Sequence, residues 1–362
     1  MRKNYIDNIR WGTIILVVIY HVIYMFNGII TEGVIGPITT VRYQDAIQYM
    51  LYPWFMVILF IISGMCAKYY LDRHTDKEFI RARTRKLLVP STIGLFVFGW
   101  IQGYFNMAIS HAFDSMAGSV PGIVMYPIMA FCGTGVLWTV QVMWLCSMLL
   151  LLVRKMEKER LYDLCKNANI PVLVLLAVPV WGAAQILNLP IICVYRFGIY
   201  GFCFLLGYYV FSHDEVIEQL EKYCIFLLIA AVALGTAYVY RYFGQNYTVA
   251  PGVNSPLAIG FGWAACLAVL GCVKHWGNKT NSFSEYMTKK SFGLYVFHYT
   301  TLSATAYVLT KYTHTAPVII YLLTAIAAFG GALLLNEIIS GIPVVRWCVL
   351  GIKKEKRQNV QG

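Results

Sequence analysis

Ten stretches of this chain are each long and apolar enough to cross a membrane, and no other feature limits its fold so severely. They cover residues 11–30, 49–67, 87–108, 136–153, 170–189, 191–211, 223–242, 256–273, 292–310 and 317–338, the fifth and sixth being divided near Asn188. A hydrocarbon core of about 30 Å takes roughly 20 residues of helix. Within it every backbone N–H and C=O must be satisfied inside the protein, and a helix does this for each run by itself. Composition agrees: 59% of the 362 residues are hydrophobic and 13% are charged, where a soluble domain carries about 25% charged residues. The expected fold is all-α, a polytopic integral membrane bundle of about ten transmembrane helices. It forms one domain over residues 1–352, followed by a basic tail at 353–362.

The cations set an orientation. All but four of the 29 Lys and Arg lie in segments on the amino-terminal side of the membrane, the exceptions being Arg42, Arg196, Arg241 and Lys311. Positive loops stay in the cytoplasm, so both termini are expected there, in a multi-pass protein of the cell membrane. The net charge of +12 follows from this bias, and it also suits anionic membrane lipid or a phosphorylated cytoplasmic ligand. It does not indicate nucleic acid, because the cations are scattered over separate loops without a recognition motif. The first apolar run is too long for a secretory signal and has no A-x-A-like cleavage site, so it should remain as the first helix. The ten cysteines, among them Cys66, Cys146, Cys203, Cys266 and Cys272, show no metal-ligand spacing and read as small packing residues. No metal and no disulfide is expected, and the sequence is silent on oligomeric state.

Two cytoplasmic connections stand out, from Lys68 to Lys86 and from Arg154 to Lys166. The basic segment from Phe79 to Pro90 is expected to lie along the inner surface as a short amphipathic helix, with Pro90 in the first turn of the third membrane helix. The stretch at 110–135 carries no Lys or Arg and is rich in Gly and Pro. It reads as an outer loop, with a lid over an outward opening as the alternative.

Ionisable side chains at membrane depth are costly and mark functional sites by default. Arg10 and His21 are eleven residues apart, roughly 1100° of helical rotation or three turns and about 20°, so they share a face. The same spacing is about 16 Å of rise, which puts Arg10 at the inner interface and His21 near mid-membrane. An anion-binding cation at the mouth and an imidazole deep inside suit a long substrate threaded from the cytoplasm. The plainer reading makes Arg10 a topology anchor and His21 a hydrogen-bonded core residue. His298 has Tyr295 three residues before it on nearly the same face, either completing a polar pocket with His21 or bonding between helices. Gln141 and Glu337 are further buried polar candidates, Glu337 as a structural partner for Arg10 or Arg346. Ser63 and Gly64 mark either close helix packing or the approach of a ligand to the backbone. There is no Ser-His-Asp arrangement, phosphate loop or zinc-binding His-Glu-x-x-His motif.

The segment from Tyr5 to Arg10, followed by ten residues and His21, resembles the Arg-x10-His signature of the acyltransferase family 3 membrane proteins. Ile61 to Met65 resembles that family's Phe-x-Ser-Gly-Tyr element, and Arg83 to Pro90 its basic element before a proline. Gly135 to Trp138 is similar to its Leu-Trp-Phe-Leu segment, and Tyr295 to His298 to its late Tyr-Leu-Phe-His. Lys86 stands where arginine is common, and Thr139 where phenylalanine is usual. Ile342, Pro343 and Arg346 lean toward the branch similar to glucan succinyltransferases and O-acetyltransferases.

The resemblance implies an O-acyltransferase that modifies polysaccharide. It would take an acyl group, most often acetyl, from cytoplasmic acyl-CoA and place it on a hydroxyl of an outward-facing glycan or lipid-linked saccharide. On that basis Arg10, Arg83, Arg85 and Lys86, with Ser63 nearby, would bind the co-substrate acyl-CoA through its phosphates. His21 would be the general base on the acceptor hydroxyl or on an acyl-carrying intermediate, and Tyr295 or His298 would hold the developing oxyanion. The competing reading is a proton-coupled transporter of a small solute or glycan that uses His21, His298 and Glu337; its hallmark, an internal repeat, is not visible in the sequence.

Overall fold

The computed structural model describes residues 3–30, 33–116, 119–158, 160–189 and 195–353. Among the described residues every named element is a helix. The chain opens with α1 (Asn4–Tyr24), α2 (Tyr43–Leu71) and α3 (Asp76–Ile109), then a short apolar helix α4 (Gly122–Cys132) and α5 (Gly135–Glu157). Two more short apolar helices, α6 (Ile170–Ala184) and α7 (Phe197–Tyr209), lead to the amphipathic α8 (Asp214–Lys222). It closes with α9 (Cys224–Tyr242), α10 (Pro256–Trp276), α11 (Ser282–Tyr312), α12 (Pro317–Gly341) and α13 (Pro343–Leu350).

Seven of these, α1, α2, α3, α5, α9, α10 and α12, are long and apolar enough to cross a membrane. Three of the ten expected runs are not in that set. The runs at 170–189 and 191–211 become α6 and α7, which are too short by this measure. The run at 292–310 lies in α11, whose 31 residues are ample in length but too rich in polar side chains. A helix that faces protein and cavity on all sides has no need of an apolar surface, and α11 packs against α1, α3 and α12. Residues 190–194, where the sixth run begins, and the tail from 354 onward lie outside the described residues.

The basic segment is not a separate surface helix. Thr75 and Glu78 form a capping box that starts α3, and the helix then continues through two wide π turns at Thr84–Leu88 and Leu95–Gly99. Pro90 cannot donate a backbone bond and crowds the carbonyl four residues earlier. A widened turn just before it absorbs that conflict without ending the helix. The stretch at 110–135 differs too, because most of it forms α4, packed on α3. Glycine makes this possible: a Cβ at Gly103 would lie 1.7 Å from the Met129 carbonyl oxygen, and one at Gly133 would lie 1.9 Å from that of Gly99. Only bare backbones approach so closely. Gly64 on α2 and Gly207 on α7 repeat the device, with a Cβ on either meeting a carbonyl oxygen at 2.0 Å.

Polar contacts tie the loops at each end of the bundle. At the basic end, where α1 and α3 begin, Lys3 pairs with Asp214 at 2.5 Å and Arg154 with Asp76 at 3.0 Å. At the opposite end Tyr49 donates to the Gln245 carbonyl at 2.6 Å, and Trp181 to that of Asn254 at 3.2 Å. The described chain begins and finishes at the basic end, where Gly351 packs on the backbone of Arg85.

Candidate functional site

Packing of α11 on α1 brings His298 to His21. His298 Nε2 lies 3.2 Å from His21 Nδ1, and the ring centroids are 5.1 Å apart. The helix carbonyls then fix the protons. His298 Nδ1 is 2.8 Å from the Tyr295 carbonyl oxygen and 3.2 Å from that of Leu294. A carbonyl only accepts, so His298 Nδ1 carries hydrogen and, in the neutral ring, Nε2 is the acceptor. His21 Nδ1 faces that acceptor and the Val17 carbonyl, at 2.8 Å, so it too carries hydrogen. His21 Nε2 is left holding the lone pair.

His21 lines a cavity of about 710 Å³ toward the end of the bundle opposite Lys3. Tyr20, Tyr24, Tyr52, Trp138, Tyr200 and Tyr299 supply much of its wall. His298 itself is fully buried behind His21. Tyr295 reaches the cavity wall, and its hydroxyl donates to the Val136 carbonyl at the start of α5. Its proton is therefore engaged in holding α5 against α11.

Arg10 lines a second cavity, of about 480 Å³, at the basic end together with Lys3, Asp7, Cys66, Tyr69 and Arg73. Its guanidinium donates to Asp7 Oδ1 at 3.0 Å and to Cys66 Sγ at 3.2 Å. One turn along α2, Ser63 takes two contacts from Arg83, one at Oγ and one at its carbonyl oxygen, both 3.2 Å. Lys86 lies within electrostatic reach of Arg10, Arg83 and Arg85. Every cation singled out from the sequence thus gathers near this end. Arg83, Arg85 and Lys86 stand beside the cavity rather than among its lining residues.

Other candidates are structural. Gln141 bridges α3 and the loop before α7, donating to the Ser91 carbonyl at 2.8 Å and accepting from Tyr195 at 2.7 Å. Glu337 pairs with Lys290 at 2.6 Å, not with Arg10 or Arg346 as expected; Lys290 on the neighbouring α11 is the cation that helix packing delivers. Gly64 faces α7, which answers for packing. Among the described residues no group of three His, Cys, Asp or Glu side chains is placed to hold a metal, and the described cysteines are free.

Tyr299 and Asn106 were not anticipated. Tyr299 meets the His21 ring edge-on at 5.0 Å, and it lies one helical turn from Tyr295 on the face already marked. Asn106 lines the cavity and stands four residues after Gln102, to which it is bonded at 2.7 Å. A polar pair at this spacing within an apolar run was the signal.

Apolar helices of spanning length around a cationic cavity and a separate aromatic one with an imidazole at its wall define a multi-pass membrane protein with a buried site. The chain belongs to the acyltransferase 3 family, whose model, described as an acyltransferase domain, matches residues 3–337. No curated protein and no solved structure matches it. The family is one of acyl transfer, which favours the transferase reading over the transporter.

Proposed function

We propose that this protein moves an acyl group, acetyl in the first instance, from cytoplasmic acetyl-CoA to a hydroxyl of an extracytoplasmic or lipid-linked glycan. In this reading the chain crosses the cell membrane ten times as one domain with both termini and the basic tail in the cytoplasm, and it belongs with the glucan succinyltransferase-like and O-acetyltransferase branch. The observation that supports it is the placement of Arg10 and His21 on one face of α1, each opening into a different cavity.

The basic cavity takes the CoA phosphates. Arg10, Arg83, Arg85 and Lys86 provide the charge, and Ser63 orients Arg83. The pantetheine arm carries the thioester toward His21. There Nε2 accepts the proton of the acceptor hydroxyl as its oxygen attacks the thioester carbonyl. When the tetrahedral species collapses, the C–S bond breaks and the CoA sulfur leaves with that proton. His298 holds the His21 ring through Nδ1 as the charge grows, the part an orienting partner plays for a catalytic histidine. Tyr295 keeps the α5 wall in place, and its engaged proton argues for the orienting role over the oxyanion role.

The test uses membranes of cells with and without the protein, given labelled acetyl-CoA from the cytoplasmic face. Label should enter surface glycan in the parent and fall by roughly 10²-fold or more in His21→Ala, while Arg10→Ala should raise the KM for acetyl-CoA. Equal labelling by parent and His21→Ala membranes would overturn the assignment.

A further inference from the structure

The two cavities differ in charge. Five residues lining the basic one are ionic, Lys3, Asp7, Arg10, Asp72 and Arg73. Among the described residues lining the cavity around His21 there is no Lys, Arg, Asp or Glu. Its polar equipment is amide, hydroxyl and imidazole, set among aromatic rings. Tyr20 stacks with Tyr24 at 5.6 Å and with Tyr52 at 6.1 Å, while Trp138 and Tyr200 lie together at 5.4 Å. Aromatic lining of this kind suits the C–H face of a pyranose.

The amides are polarised toward donation. Asn246 accepts from both the Thr248 N–H and hydroxyl, at 2.9 and 2.7 Å, which spends its oxygen and turns its NH₂ to other uses. Asn106 accepts from Gln102 at 2.7 Å and gives one N–H to the Cys132 carbonyl at 2.9 Å, leaving the other. Neutral donors and aromatic faces recognise hydroxyls well. They compensate a carboxylate or phosphate for its lost water less well than a paired cation does.

We infer that the cavity around His21 selects an uncharged sugar residue as acceptor and rejects uronates and phosphorylated sugars. This rests on the reading of that cavity as the place of the acceptor, and it adds a specificity to it. The volume lies within the range of about 300–1,000 Å³ typical of small-ligand sites, so the terminal part of a glycan enters and the remainder stays outside.

The experiment measures binding with no acyl donor present. Full-length protein in nanodiscs is titrated with neutral gluco-, galacto- and mannotrisaccharides and with their uronate counterparts at neutral pH. At least one neutral trisaccharide should bind, with its uronate at least about 100-fold weaker. Tyr52→Ala should weaken the neutral ligand by about tenfold. Asn246→Lys should narrow the neutral-to-uronate gap by about tenfold or more, because the ammonium supplies the missing partner. Uronate binding as tight as the neutral sugar in the parent, or no neutral sugar binding, overturns the inference. Selective neutral binding by a protein that then transfers no acyl group from any acyl-CoA leaves it standing and sinks the transferase reading of the cavity.

Discussion

At the level of single residues, the decisive contact is between two imidazoles. With both Nδ1 atoms facing helix carbonyls, one set of protons satisfies the pair, and it directs the His21 lone pair away from His298. An orienting partner needs only to accept from His21 Nδ1. His298→Gln keeps an acceptor oxygen where Nε2 stands, so it should retain acyl transfer within about tenfold of the parent. His298→Leu should lose roughly 10²-fold in kcat with little change in the KM for acyl-CoA. Equal losses in the two variants would mean that His298 serves packing alone. Arg10 and His21 were legible in sequence because a shared helix face depends only on their spacing. His298 was legible only as one of two alternatives, a pocket with His21 or a bond between helices, because the two residues stand 277 positions apart and the packing of α11 on α1 decides between them. Glu337 shows the same limit: its charge called for a cation, and which cation depended on the neighbouring helix.

At the level of elements, glycine sets the distances between helices and histidine holds a corner at the basic end. Gly64 and Gly207 put the backbones of α2 and α7 in contact, and α2 also carries Ser63 and Cys66 to the two arginines. Gly207→Val should force the helices apart and cost about 1–3 kcal/mol or more, read as a lowered Tm in detergent, with Arg83 losing its place on Ser63. Seven of the ten expected spans are helices of spanning length, but α4 was not readable from composition: its glycines and Pro127 resemble a loop until α3 offers a glycine face against which to pack. The corner is formed by His213, whose Nε2 lies 3.0 Å from the Tyr162 carbonyl oxygen and whose ring is 4.0 Å from the Tyr162 ring. Burial lowers the His213 pKa, Lys68 and Lys166 act in the same direction, and the Tyr162 carbonyl and Glu215 oppose them. The unfolded chain therefore binds this proton more readily than the folded one. Stability falls as pH drops through the ordinary histidine value of about 6.5 toward the depressed one. Melting curves of the parent should shift downward between about pH 7.5 and pH 5.5, and His213→Gln should flatten that shift. A variant with the parent's full pH response would remove His213 from the account.

For the whole molecule, the arrangement of the cavities bears on the route proposed for the acyl group. Arg10 faces one cavity and His21 the other, about 16 Å apart along α1. Between them on the same stripe stand Ile14 and Val17, 6% and 1% exposed, at the helical spacings that carry the face from one residue to the next. The two cavities share no lining residue; Val17 lines the one around His21, and Ile14 lines neither. On the proposed reading, a thioester that passes from the basic cavity to His21 along this face of α1 has to pass Ile14. Ile14→Trp should therefore reduce acyl transfer by at least about 100-fold while acyl-CoA still binds at the basic cavity with near-parental affinity and neutral sugar still binds opposite. Ile14→Val, which keeps an apolar side chain and removes one methylene, should transfer at close to the parent rate. Transfer by Ile14→Trp at the parent rate would show that the acyl group takes another path, and loss of both ligands would show that the substitution disturbs the bundle. Loss of transfer with both ligands retained is the outcome expected if α1 itself lines the way across.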